Sequence, residues 1–197
     1  MENKKRKAWL EIKDILMGTA FPFILMIVVN ATFIAYASYS GDILVTLLAL
    51  VGGEIIFIAS VVLFGRANGA NAYRNTMVNK QKRDLGSTEE KVIYRTGEYA
   101  VWKAVVIGAI LVLPFLIFQT VELIYPNSVT SFCLQYICGW AYYPFSFLGK
   151  GYQGLNYICI IIPIAAHVVG YLWGKLRQIK IDKAYAESKQ KGKGRRK

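Results

Sequence analysis

Four long apolar segments constrain this chain more than any other feature. They are Met17–Ser38, Ile43–Gly65, Ala100–Tyr125 and Tyr157–Leu176. Each is about as long as the roughly 20 residues with which a helix crosses a bilayer, and each carries few charges. Backbone polar groups in lipid must be satisfied within the segment, and the alternating pattern of barrel strands is absent. The sequence therefore predicts an all-α integral membrane protein with four transmembrane helices.

The charge pattern predicts how the chain crosses the membrane. The net charge is +12, and 23 of the 24 Lys and Arg lie in the head, in or beside the connection 66–98, or in the tail from Lys175 onward. Only Lys150 lies between the third and fourth spans. Because positively charged flanks stay in the cytoplasm, both termini and the connection 66–98 are predicted to be cytoplasmic. Residues 39–42 and 126–156 are then outside.

The resulting organisation has three parts, expected in a plasma or inner membrane. A basic head (1–16) precedes the transmembrane domain (17–176), and a basic tail (177–197) follows it. Ala35-Tyr36-Ala37 also fits a signal-peptide cleavage site. We favour an uncleaved first span, because its apolar run exceeds the roughly 7–15 residues of a signal peptide.

The connection 126–156 is unusually aromatic. Thr130–Gly149 carries no charge and is long enough for a fifth span, but a fifth crossing would place the basic tail outside. We predict an interfacial helix around Val129–Ala141 followed by an aromatic loop, because Tyr and Trp favour the headgroup level. A re-entrant hairpin enclosed by protein is the alternative. An aromatic anchor is favoured over a lid or binding surface.

Three cysteines, Cys133, Cys138 and Cys159, belong to the same side of the membrane. A disulfide among them is one alternative if that side is oxidising. On a helix, however, the first two side chains point about 140° apart. We favour the interpretation that all three cysteines pack as small buried hydrophobic side chains without a disulfide. With a single His and no cysteine cluster, no metal or cofactor is expected.

Ionisable residues inside the spans are the best functional lead. Glu54 and His167 lie near the middle of the second and fourth spans, within about 2 Å in depth by helical rise alone. We predict a hydrogen-bonded Glu54–His167 pair that Asn30 could join, with Gln119 and Glu122 as accessory polar residues. An interhelical hydrogen bond is favoured over a proton or ion relay, and a contact to another subunit is the third option.

Small residues predict where helices pack closely. In the second span the predicted seam is Thr46, Ala49, Gly53 and Ser60, and in the fourth it is Ala166, Gly170 and Gly174. The glycines of Gly65-x-x-x-Gly69 lack the Lys-Ser/Thr that a phosphate loop requires.

The cytoplasmic face is predicted to be basic and to contact anionic lipid headgroups. Ser87–Glu90 fits a capping box, which predicts a helix start. The end of the tail is expected to be disordered or an irregular extension of the last helix. RNA contact by the tail is less favoured because the membrane is adjacent. The predicted lipid-contact residues are Lys80, Lys82, Arg83, Lys189, Lys191, Lys193, Arg195, Arg196 and Lys197.

The sequence carries no Walker, dinucleotide or kinase motif. The leading hypothesis is a non-enzymatic subunit, scaffold or assembly factor of a larger membrane complex, partnered by another membrane protein or by copies of itself. The alternative is a small oligomeric transporter or channel with a Glu54/His167 site. A lipid-modifying enzyme ranks third, because no nucleophile or metal cluster is found at the headgroup level.

Overall fold

The computed structural model describes residues 2–85, 98–146 and 150–194, and all regular structure in these ranges is helical. The elements are α1 (Glu2–Ser40), α2 (Ile43–Asp84), α3 (Val101–Ile124), α4 (Ser128–Tyr136), α5 (Gly139–Ser146), a 3₁₀ helix (Lys150–Ile160) and α6 (Ile161–Gly194). Four stretches are long and apolar enough to cross a membrane. They lie in α1, in α2, in α3 and in the 3₁₀ helix continued by α6. The prediction of an all-α fold with four such helices is confirmed.

The four long helices form a ring in the order α1, α2, α6, α3. Gly18 of α1 lies beside Asn68 of α2 and Phe33 beside Gly53, so α1 and α2 run antiparallel. Ala104 of α3 lies beside His167 of α6 and Gly108 beside Ile164, so α3 and α6 are also antiparallel. The start of α1, the end of α2, the start of α3 and the end of α6 therefore share one end of the bundle. We call it the terminal end. The opposite end, where the turn between α1 and α2 and the short helices α4 and α5 lie, is called the hairpin end.

The closest packing in the molecule joins α2 to α6, which run parallel. A Cβ atom built on Gly69 would lie 2.0 Å from the carbonyl oxygen of Tyr171, and one on Gly65 would lie 2.4 Å from that of His167. From the other side, a Cβ on Gly170 or Gly174 would lie 2.2 or 2.1 Å from a backbone carbonyl oxygen of α2. Only glycine lets the two backbones approach this closely.

The two predicted small-residue seams do not pack against each other. Gly170 and Gly174 do face α2, but they lie against its backbone at Val62 and Arg66 rather than against the stripe containing Ala49 and Gly53. Gly53 instead packs against Phe33 of α1, whose ring would lie 3.2 Å from an added Cβ. The seam in the first half of α2 therefore holds α1, and the glycines in its second half hold α6.

Two helices continue well beyond their apolar segments. The predicted cytoplasmic connection begins as helix, since α2 runs to Asp84, and α6 runs to Gly194. The stretch 187–194, expected to be disordered or irregular, is therefore regular helix. Once a long helix exists, each added residue extends it without a new nucleus, so polar residues prolong it readily. The capping box at Ser87–Glu90 lies outside the described residues.

The short helices α4 and α5 form a hairpin that inserts into the bundle. The Trp140 ring stacks on Phe57 of α2 at 5.3 Å and lies 5.7 Å from the ring of Phe115 of α3. Leu134, Cys138 and Ala141 have no exposed surface. A helical segment near Val129–Ala141 was predicted, but much of it is core rather than surface.

Substitution of Gly69 tests the α2–α6 contact. We expect Gly69→Ala to lower the midpoint of thermal unfolding in detergent by about 5 °C or more, because the new methyl group forces the helices apart. The matched control is Gly52→Ala in the same helix, whose Cβ would meet nothing nearer than 3.6 Å. This control should stay within about 2 °C of the parent, since Ala is the better helix former. Equal midpoints for the two variants would contradict the contact.

Candidate functional site

The only histidine lies at the centre of the α2–α3–α6 contact. His167 has no exposed surface, and its Nδ1 lies 3.0 Å from the carbonyl oxygen of Ala104. Because a carbonyl only accepts, Nδ1 carries the proton. Nε2 lies 3.4 Å from the amide nitrogen of Asn68, which donates to it. Both ring nitrogens are thus used by a neutral imidazole that joins three helices.

Glu54 lies in a narrow cleft at the hairpin end of the bundle. Asn30, Gly53 and Gly139 line the same cleft. Asn30 donates from its amide nitrogen to the carbonyl oxygen of Ile137, 3.1 Å away, at the end of α4. The asparagine therefore fixes the α4–α5 junction to α1, and the carboxyl group of Glu54 lies beside that junction.

The structure does not bring Glu54 and His167 together. His167 lies level with Gly65, which is eleven residues beyond Glu54 in α2, or about 16 Å along the helix axis. The predicted depth of His167 was obtained by counting helical residues from Tyr157. In the structure the chain is already inside the bundle in the 3₁₀ helix, and α6 begins only at Ile161. Asn30 lines the same cleft as Glu54, whereas His167 is hydrogen-bonded to Ala104 and Asn68.

The accessory polar residues of α3 have separate roles. The carboxylate of Glu122 accepts hydrogen bonds from the hydroxyl groups of Thr130 and Ser131, the latter at 2.7 Å, which ties α3 to α4. Gln119 is fully buried, and neither atom of its amide group has a hydrogen-bond partner in the described part of the chain. Glu122 thus shapes the hairpin, whereas Gln119 is a buried polar group without a visible function.

The three cysteines are free thiols. Cys138 and Cys159 belong to the main hydrophobic core, where they pack as small apolar side chains. Burial, and then the nearby Cys133, raise the pKa of Cys138 to about 12, so its thiol stays protonated at neutral pH. The described residues contain no group of His, Cys, Asp and Glu arranged to hold a metal ion.

The predicted lipid-contact residues within the described ranges lie at the terminal end. Lys80 and Lys189 are exposed, while the Arg83 guanidinium donates to the Glu98 carboxylate 2.5 Å away. Lys82 is half-buried. Lys191 and Lys193 fall on the last turns of α6, and residues 195–197 lie outside the described ranges.

A polar cavity of about 340 Å³ opens between the long helices at the terminal end. Its polar lining residues are Asp14, Asn68, Asn71, Arg74, Asn75 and Lys103. Tyr171 and Gly18 complete the wall nearest to His167. The cavity shares Asn68 with the His167 network.

The asparagines of this cavity belong to the predicted cytoplasmic connection 66–98. Lys103 was not among the predicted site residues. One signal was available: Asn68, Asn71 and Asn75 recur at helical spacing of three and four residues, which places them on one face. The sequence could not indicate that Lys103 of α3 faces the same space.

Comparison of the chain with protein-family models, with curated protein sequences and with solved structures gave no match.

Replacement of Asn68 tests whether the His167 network supports the fold. We expect Asn68→Ala to lower the free energy of unfolding by about 1–3 kcal/mol, because Nε2 of the buried imidazole loses its donor. Thermal unfolding in detergent measures this loss. Asn71→Ala, one turn along the same helix but exposed, is the control and should change stability by less than about 0.5 kcal/mol. The network has no structural role if Asn68→Ala matches the control.

Proposed function

We propose that this chain is a non-enzymatic multi-pass membrane protein that acts as a subunit, scaffold or assembly factor of a larger membrane complex. It docks its partner through the part of α6 that extends past the bundle. The terminal end is cytoplasmic in this proposal, because the basic head, connection and tail all belong to it. Lys80, Lys82 and the basic tail then lie on the cytoplasmic side of the membrane.

The observation that carries the proposal is the exposed part of α6. Every side chain from Lys180 to Lys189 is exposed, and no other described element covers this stretch. The packed part of α6 already provides the nucleus for this stretch of helix, and its surface is left open to a partner. Ile181 and Tyr185, one turn apart, are 49% and 71% exposed and form an apolar strip on a basic helix. A partner that covers this strip would stabilise the helix.

The partner is tested by purification of the tagged chain in a mild detergent, with the mass and composition of the complex determined. A second protein in fixed stoichiometry should accompany the parent chain and be lost from the double variant Ile181→Ser with Tyr185→Ser. The control is Lys183→Ser with Glu187→Ser, which alters another face of the same turns without changing the net charge. A pure homo-oligomer in all three preparations would contradict the proposal.

One observation favours a second candidate, a small oligomeric transporter or channel. Glu54 is a carboxyl group inside an apolar helix bundle, and the described residues offer it no hydrogen bond or ion pair. Such groups commonly mark ion or proton pathways. In this alternative Glu54 acts without His167, whose ring nitrogens are already used.

Flux through proteoliposomes separates the two candidates. If the chain transports protons or ions through Glu54, Glu54→Gln should abolish flux while the protein keeps its parent elution volume and thermal midpoint. In the subunit proposal the parent protein carries no flux above that of empty liposomes. Flux that persists in Glu54→Gln would exclude Glu54 as the site.

A further inference from the structure

The cavity at the terminal end contains a buried cation that lacks a hydrogen-bonding partner. Lys103 lines it, is only 4% exposed, and has no hydrogen bond from its Nζ in the described part of the chain. The closest carboxylate oxygen, from Glu11, is 4.0 Å away, and the Trp102 ring lies at 5.7 Å. An ammonium group left in this state is costly. An acceptor supplied by a ligand would remove the cost.

The other polar groups of the cavity suit an oxygen-rich anion. Arg74 gives one of its donors to Gln178, at 3.3 Å, and the guanidinium has further donors for a ligand. The side chains of Asn71 and Asn75 add amide donors on the same wall. Asp14 lies on the opposite helix and disfavours a doubly charged group. These features favour a singly charged phosphodiester over a phosphomonoester.

The cavity lies where the apolar segments end. Met17 begins the apolar run of α1, Arg66 follows that of α2, and Lys103 is in the first turn of α3. This is the level at which lipid headgroups meet a membrane protein.

The apolar surface beside the cavity belongs to α1. Met17 lines the cavity and is 69% exposed, and Phe21, one turn further along the helix, is also exposed. A polar pocket at the headgroup level with exposed apolar side chains beside it matches an amphiphile.

We propose that this cavity binds a phosphodiester, carried by the headgroup of a glycerophospholipid. Lys103 and Arg74 hold the phosphate oxygens, and an acyl chain lies along the exposed side chains of Met17 and Phe21 on α1. The site is independent of the α6 strip, so it stands whether or not a protein partner docks there.

The test uses the full chain, freed of lipid in a non-ionic detergent, and three probes followed by the thermal midpoint. Dioctanoyl phosphatidylglycerol carries both phosphodiester and chains, dioctanoyl glycerol carries chains alone, and glycerophosphoglycerol carries the soluble phosphodiester alone. We expect a saturable rise in the midpoint with the phospholipid, at least about tenfold weaker binding of the soluble diester, and no saturable rise with dioctanoyl glycerol.

Substitutions assign the binding to the cavity. Lys103→Met should fold at least as stably as the parent, because a buried ammonium group without a hydrogen bond is removed, and should bind phosphatidylglycerol at least about tenfold more weakly. Lys180→Met, at an exposed lysine of α6, is the control and should bind as the parent does. Asn71→Asp, at an exposed edge of the cavity, should also weaken binding by adding a negative charge.

Equal responses to the phospholipid and dioctanoyl glycerol, or equal affinity for the phospholipid and the soluble diester, would overturn the proposal. So would unchanged binding in Lys103→Met or, if that variant does not fold, unchanged binding in Asn71→Asp.

Discussion

The rest of the structure depends on the backbone contact between α2 and α6. Lipid tails are as apolar as leucine, so helices in a bilayer gain little from the hydrophobic effect and depend on close packing and hydrogen bonds. Gly65 and Gly69 lie against the backbone of α6 at His167 and Tyr171. Gly170 and Gly174 lie against the backbone of α2 at Val62 and Arg66. This contact sets the level of His167 against α2, and so it decides which groups the imidazole can reach.

Polar groups inside the bundle are used to join helices at two levels. Near the terminal end, His167 links α3 and α2 through Ala104 and Asn68. Near the hairpin end, Asn30 of α1 satisfies the carbonyl group of Ile137 at the end of α4. Each bond gives a buried group the partner that lipid cannot provide. The aromatic contact of Trp140 with Phe57 and Phe115 fills the space between the two levels.

The existence of four apolar helices could be predicted because hydropathy and length are local properties of a segment. The relative depth of Glu54 and His167 could not be predicted, since it depends on where the chain re-enters the bundle. The chain is already inside the bundle in the 3₁₀ helix, where Cys159 is part of the core, so His167 lies farther along the bundle than Glu54. For the same reason Gly65 and Gly69 were not recognised as a seam: their partners are fixed only by the register of α6. The cavity depends on Lys103, whose inward position follows from how α3 packs.

The length of α2 has a mechanical consequence. It is one continuous helix of 42 residues, and its glycine contact with α6 lies near the middle. The stretch from Ile43 to Gly65 measures about 33 Å and that from Gly65 to Asp84 about 28 Å. The rod is held at two levels, by Phe33 of α1 at Gly53 and by α6 at Gly65 and Gly69. A tilt imposed at Asp84 is therefore resisted at both levels, and Glu54 lies on the segment fixed between them.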